Sequence, residues 1–414
     1  MAQTNEPPTT SIPVAIEVKS IHWPAESSGD GCTSSKASDP ENQPSPAQRR
    51  RANIQLVALC WTTFVIGWND GTTGPLLPRA QRVYGGFLIG ALSNLVLDPR
   101  YGFGKVIVLG TLFPVVGYAI NASAPPFPVF ILGYAINGVG MALLDAQANG
   151  FVASLRDNPE TKMGILHAAY GIPIFLHAAL ANFGVRRRRT IFPTHIHTVR
   201  STSALVIPLS HFLRLKTQDE CLTQIGLPPG EKGTSESSQI RQVFSLKVVH
   251  LLALFILVYV GVEVTTAGWT VTYIINIRGG GPSSGYISSG FYAGLMIGRV
   301  ALLWVNQKFI VWFVPSLIAG AVSTSIIGIL LGPMYPIAMN HAGRILPRWL
   351  LTGSIGWIAG CGQAGSALLP FMTGAIASKS GIGALQPFHG CRLVSMMAFM
   401  TFIWAIVPNS AQKG

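Results

Sequence analysis

Apolar segments close to the ~20 residues that a helix needs to cross ~30 Å of hydrocarbon recur along this chain. They leave little room for anything but a membrane fold. The clear segments are Asn53–Leu77, Lys105–Asn121, Pro128–Leu155 and Met163–Phe183, followed by Val248–Ile277, Gly285–Asn306, Val311–Met339, Trp349–Ser378 and Leu393–Pro408. Only 11% of the residues are charged, against about 25% in soluble domains. A chain of 414 residues with so little charge cannot cover itself with a water-facing surface. The predicted fold class is an all-α polytopic membrane protein.

The segments fall into two groups. Residues 53–215 read as one helical bundle and residues 248–414 as a second, a pairing that suggests a two-bundle transporter. Between them, residues 216–247 are polar and read as a central cytoplasmic loop, disordered or weakly helical. Residues 1–52 are rich in Pro, Ser, Thr and Asn and are expected to form a disordered tail. That tail has no apolar run of the kind a secretory signal needs. It ends in Arg49, Arg50 and Arg51 immediately before the first apolar segment, which places the N-terminus in the cytoplasm by the positive-inside rule.

A formal charge of +13 would point to nucleic acid in a soluble protein. Here the Lys and Arg lie mostly in short loops between apolar runs, so they read as orientation signals and no nucleic-acid partner is expected. Cys32, Cys60, Cys221, Cys361 and Cys391 are scattered without CxxC spacing, and His195 and His197 in HTHIHT make a weak metal signal. No metal site is expected. Phosphate-binding glycine loops are absent, and no nucleophile, base and orienter constellation stands out. Neither a cofactor nor enzymatic activity is expected.

Two stretches do not fit a regular series of crossings. Gly86–Leu97 is apolar for 12 residues, roughly 18 Å as a helix, and is too short to span. Ser203–Leu215 is similarly short and is broken by Pro208 and His211. If Gly86–Leu97 does not return the chain, Arg79, Arg82, Arg100 and Lys105 face outward, against the positive-inside rule. Arg186–Arg189 raise the same conflict after the fifth crossing.

Asp70, in WNDGTTGPLLP, and Asp145, in ALLDAQANG, interrupt two of the apolar runs. A carboxylate in hydrocarbon costs at least ~2.5–3.5 kcal/mol on insertion scales, and such residues face bundle interiors where they bind ions, protons or solute. A carboxyl shielded from water can carry a proton, and it can also accept hydrogen bonds from sugar hydroxyls. Structural alternatives stand beside these roles: an interhelical hydrogen bond for Asp145, and a cap at the Gly71–Gly74 kink for Asp70. Asn149 lies four residues after Asp145 and shares its face, whereas Gln147 points elsewhere. His167 and Tyr170 share a face, and His167 is either a proton relay or a structural histidine. Glu263 is the acid of the second group, positioned to pair with Arg299 either at a solute site or as a brace for that half. Asn69, Trp269, Tyr335, Asn340, Trp357 and Gln363 complete the candidate cavity. The indoles suit stacking on a sugar ring but equally suit a membrane interface.

The phrases WNDGTTGPLLPR, LDPRYGFGKVIVLG, YAINGVGMALLDAQANGFVASL and MGILHAAYG resemble fungal transporters of the major facilitator superfamily. So do YVGVEVTTAGWTVTYIINIRGGGPSSGYISSGFYAGLMIGRVALLWVN and LLGPMYPIAMNHAGRILPRWLLTGSIGWIAGCGQAGSALLPFMTGAIASKSG. The likeness is to the fucose-permease-like branch that includes the yeast bypass-of-stop-codon membrane proteins, and it covers most of 55–410. It implies two six-helix halves with alternating access around a central cavity, and acids of the first and fourth helices, here Asp70 and Asp145, in proton and sugar binding. LDPRYGFGK resembles a degraded cytoplasmic loop signature, which implies a conformational-switch role for Asp98, Arg100, Gly104 and Lys105. Against that pattern the chain is short or altered at 80–100, 172–215 and 307–315, where it reads like a mis-spliced gene model. About 9–11 of 12 membrane helices are therefore expected. The resulting expectation is a proton-coupled secondary transporter of a small polar, sugar-like solute. It would sit in the plasma membrane by default, with a vacuolar home open. The alternative is a non-transporting sensor or defective paralogue.

Overall fold

In the computed structural model, residues 45–73, 81–123, 125–186, 217–228, 239–281, 284–305 and 320–381 are described. Every regular element among them is a helix. The first half contains α1 (Pro46–Thr73), α2 (Gln81–Tyr101), α3 (Phe103–Ala122), α4 (Phe127–Ala153) and α5 (Pro159–Arg186). Two short helices, α6 (Gln218–Gln224) and α7 (Gln239–Ser245), lie in the polar central region. The second half contains α8 (Lys247–Arg278), α9 (Gly285–Val305), α10 (Gly320–Leu331), α11 (Met334–Ile345) and α12 (Arg348–Ser380). By length and composition α3, α4 and α8 can each cross a membrane unaided. Residues 1–44, Ser203–Leu215, the histidines of HTHIHT and the segment Leu393–Pro408 lie outside the described residues.

The distribution of side chains is that of a protein solvated by lipid. Val57, Ile89, Leu112, Leu132, Val300 and Phe371 are large apolar residues that are half or more exposed. Meanwhile Asn69, Gln147, Asn149, His167, Glu263 and Arg299 are buried. Polar groups in such an interior must pair with one another, because no water is available to them.

Two expectations are corrected. The stretch around Gly86–Leu97 is not too short to span: α2 runs for 21 residues, ~31 Å at 1.5 Å per residue. The apolar window ends at Asp98, which with Asn94 lies on the helix face that meets Gln147 of α4, and it omits the polar first turn at Gln81 and Arg82. With α2 returning the chain, Arg100 and Lys105 share an end with Arg49, Arg50 and Arg51, so the conflict of charge is lifted for these two, while Arg82 lies at the opposite end of α2. The segment Val311–Met339 is not one helix either. Its described part is divided at Gly332 and Pro333 into α10 and α11, since proline has no N–H to continue the ladder and its ring clashes with the preceding turn.

Glycines set which helices touch. Gly86 and Gly90 of α2 lie against the backbone of Ala135 and Val139 of α4, and Gly67 of α1 lies against Tyr170 of α5. Gly294 and Gly298 of α9 lie against Ser325 and Ile329 of α10. In each of these pairs the residue numbers rise together, so the helices are parallel. α9 and α10 are consecutive among the described helices yet parallel, so Val305 and Gly320 lie at opposite ends of the pair. The halves meet along antiparallel pairs: α2 with α12, through Leu95 at Gly353 and Ala91 at Gly360, and α5 with α9, through Gly171 at Met296.

One packing device was overlooked in the sequence. The phrase GYAIN occurs twice, as Gly117–Asn121 on α3 and Gly133–Asn137 on α4. The two copies cross antiparallel and reciprocally, with the Asn137 amide over Gly117 and the Asn121 amide over Gly133. A Cβ at either glycine would collide with the opposing amide. Gly117→Val is therefore expected to cost ~1–3 kcal/mol through overpacking. Thermal unfolding of the purified protein in detergent checks this, with Gly281→Ala, where a Cβ meets nothing within 4 Å, expected to leave the midpoint unchanged.

Candidate functional site

The buried polar groups of both halves converge on α5, which presents His167 and Tyr170 one turn apart. Tyr170 donates from its hydroxyl to Asp70 Oδ2 of α1 at 2.7 Å. Asn69 Nδ2 lies 3.5 Å from the other Asp70 oxygen, and Asn69 Oδ1 accepts from Tyr118 of α3 at 2.6 Å. Asp70 lies inside α1, which continues to Thr73, and is not a helix cap.

A second chain of bonds starts on α4. Asn149 Nδ2 donates to Asp145 Oδ1 at 2.8 Å and to the Asp145 carbonyl at 3.0 Å. With the amide nitrogen so used, Asn149 Oδ1 is left as the acceptor for His167 Nε2 at 2.8 Å, which places the imidazole proton on Nε2. The His167 ring packs at 4.8 Å against Tyr335 of α11.

Arg299 of α9 joins these chains from the second half. Its Nη1 donates to the His167 carbonyl at 3.3 Å, and its guanidinium lies 5.4 Å from the centre of the Tyr170 ring, within the range of a cation–π contact. Its Nη2 lies 3.6 Å from Glu263 Oε1 of α8. Both partners are more than nine-tenths buried. The cluster therefore holds three carboxyl groups, Asp70, Asp145 and Glu263, with one guanidinium. That cation stands beside Glu263, while the two aspartates are held by the neutral donors described above.

Other candidates lie apart from this cluster. Trp269 donates to the Pro370 carbonyl at 3.3 Å and packs on Gly374, joining α8 to α12. Trp357 meets Phe244 of α7 edge-on at 4.8 Å. Gln363 accepts from Ser366 on its own helix. Asn340 is buried on α11 with neither amide atom hydrogen-bonded. In the loop region, Asp98 accepts from Gln147 Nε2 at 3.0 Å, and Gly104 is buried in α3 while Arg100 and Lys105 are exposed. Tyr118 and Asn94 were missed in the sequence. The GYAIN repeat marks Tyr118; no local pattern marks Asn94. No group of three or more His, Cys, Asp or Glu suited to a metal occurs among the described residues.

No family model matches the chain. It is 22% identical over 418 aligned residues to bypass of stop codon protein 6 of Saccharomyces cerevisiae, covering 86% of this chain and 82% of that protein. A structure of the E. coli fucose:proton symporter FucP superposes with a TM-score of 0.60 at 14% identity, covering 84% of this chain and 98% of that one. FucP in its outward conformation gives 0.60 at 15% identity, over 86% and 99% of the two chains. The human organic anion transporter MFSD10 gives 0.60 at 13% identity, over 86% and 100%. The chain has the two-bundle fold of the major facilitator superfamily transporters it superposes on, and in sequence it is similar to the yeast bypass of stop codon protein 6.

Proposed function

We propose that this protein is a proton-coupled secondary transporter of a small polar, sugar-like solute, working by alternating access. The observation that carries the reading is the pair of half-buried aspartates, Asp70 and Asp145, each accepting from a neutral side chain inside the helix bundle. Asp70 accepts from the Tyr170 hydroxyl and Asp145 from the Asn149 amide, while Glu263 has a cation beside it in Arg299. The hydroxyl partner of Asp70 and the amide partner of Asp145 also suit a polyhydroxylated ligand. The fucose:proton symporter among the structural neighbours supports the reading.

Orientation follows from charge. Arg49, Arg50, Arg51, Arg100, Lys105, Arg156, Lys162, Arg241, Lys247, Arg344 and Arg348 collect at one end of the bundle, against Arg82, Arg186, Arg278 and Lys379 at the other. The positive-inside rule assigns the basic end, and with it the N-terminus, to the cytoplasm. The plasma membrane is the proposed site. At the basic end α4 meets α11 and α12, with Gly343 on Ala153 and Gly150 on Thr352, and Arg344 of α11 pairs with Glu160 of α5. This arrangement is closed toward the cytoplasm.

Uptake of labelled sugars into proteoliposomes under an imposed inward proton gradient tests the proposal. Accumulation is expected to collapse when the gradient is dissipated; uptake indifferent to the gradient removes the proton. A second reading, a non-transporting sensor, draws on the parallel packing of α9 and α10. Only residues 306–319 separate their opposite ends, and 14 residues make ~21 Å of helix, less than a crossing. A sensor would bind solute without counterflow, so exchange of labelled for unlabelled sugar separates the two.

A further inference from the structure

The polar region between the halves contributes more than a linker. α6 is capped by Thr217, whose Oγ1 accepts from the Glu220 amide at 3.3 Å. Its inner face is fully withdrawn from solvent, with Cys221 at 0% and Leu222 at 1% exposure. Gln218 then makes two bonds to two different halves. Its Nε2 donates to Ser154 Oγ, at the end of α4, at 3.0 Å. Its Oε1 accepts from Thr352 Oγ1 of α12 at 3.1 Å.

The rest of the segment repeats this double attachment. Gln55 of α1 donates to the Cys221 carbonyl at 3.4 Å, and Gly226, in the left-handed region at φ +85°, lies against the Gln48 side chain. On the other side Arg348 Nη1 donates to the Pro228 carbonyl at 3.1 Å. Twelve residues thus carry attachments to α1 and α4 of one half and to α12 of the other. All of them lie at the basic end, where α4 and α12 must part if the site is to open that way.

We propose that Thr217–Pro228 is a releasable strap that holds the two halves together at the basic end, with Gln218 as its bridging residue, and that it must let go of Ser154 or Thr352 whenever that end opens. This rests on the alternating-access reading above. An amide of fixed length cannot follow two helices that separate, so opening breaks at least one of the bonds. Closed and open states then differ in whether Cys221 is covered. Burial also pushes the docked Cys221 thiol up to about 12, so the covered sulfur is unreactive as well as hidden, because the thiolate is the nucleophile.

The test uses the full chain in proteoliposomes with Cys32, Cys60, Cys361 and Cys391 replaced by Ser, and reads the rate of Cys221 labelling by a membrane-permeant maleimide. Gln218→Ala removes both bridging bonds and is expected to raise that rate about tenfold. Thr223→Ala, an exposed position whose bond stays within α6, is expected to leave it unchanged. Equal acceleration by both variants would mean that α6 merely frays, and overturns the strap. A second chain, with Cys221 also replaced and Ala153→Cys introduced at the α4–α11 contact, reports the parting of the halves. The strap requires Gln218→Ala to speed labelling there too. Labelling at 153 that is the same with and without Gln218 overturns the strap and leaves alternating access standing. No labelling at 153 in either chain, with full labelling after denaturation, overturns alternating access itself.

Discussion

Asp145→Asn is expected to abolish proton-driven accumulation while preserving the folded protein. Asparagine fills the same volume and still accepts from Asn149 Nδ2 through its oxygen, so the α4–α5 contact through His167 survives. What it cannot do is gain and lose a proton. Solute inside and outside the vesicle should then only equilibrate under an imposed pH gradient, while exchange of labelled for unlabelled solute continues. The parent should accumulate solute against its concentration gradient under the same conditions. Accumulation by Asp145→Asn equal to that of the parent removes the assigned role of this carboxyl. Asp70→Asn, which leaves the Tyr170 hydroxyl its acceptor, should give the same separation of exchange from accumulation if both acids carry protons.

The largest effect on stability is expected at the Glu263–Arg299 ion pair between α8 and α9 of the second half. Arg299→Met leaves Glu263 buried without its cation, and breaking a buried pair from one side costs ~3–5 kcal/mol. It also removes the donor to the His167 carbonyl and the cation over Tyr170. The purified variant should unfold at a clearly lower temperature, or fail to accumulate in the membrane. In the double variant Glu263→Leu, Arg299→Met no uncompensated charge remains, and most of the lost stability should return. Transport is the discriminating measurement on that double variant. If it is stable and still transports, the pair is a brace and belongs to no solute or proton path.

Spacing within a helix was legible; contact between helices was not. The four-residue interval places Asp145 and Asn149 on one face, and they hydrogen-bond. The same logic set Gln147 apart, and it turns toward Asn94 and Asp98. The extent of α2 was lost because hydropathy penalises Asp98 and the polar first turn at Gln81 and Arg82, although Asp98 is spent on Gln147 and not on lipid. Trp357 looked like a sugar platform by composition, but nothing local foretold that Phe244 of α7 would take one edge of it. The central region was read as a polar loop because seven-residue helices leave almost no periodic trace. What orders α6 is a set of single hydrogen bonds to Gln55, Ser154, Thr352 and Arg348, all distant in sequence.

α5 carries both the imidazole that meets Asn149 and the phenol that meets Asp70, three positions apart on one rigid helix. A rod cannot shift one of these groups and spare the other. Whatever displaces α5, whether solute entering beside His167 or a proton leaving Asp70, therefore acts on both acids at once. Linkage then requires symmetry: if an occupant changes the proton affinity of Asp70 through this helix, protonation of Asp70 changes the affinity for that occupant by the same factor.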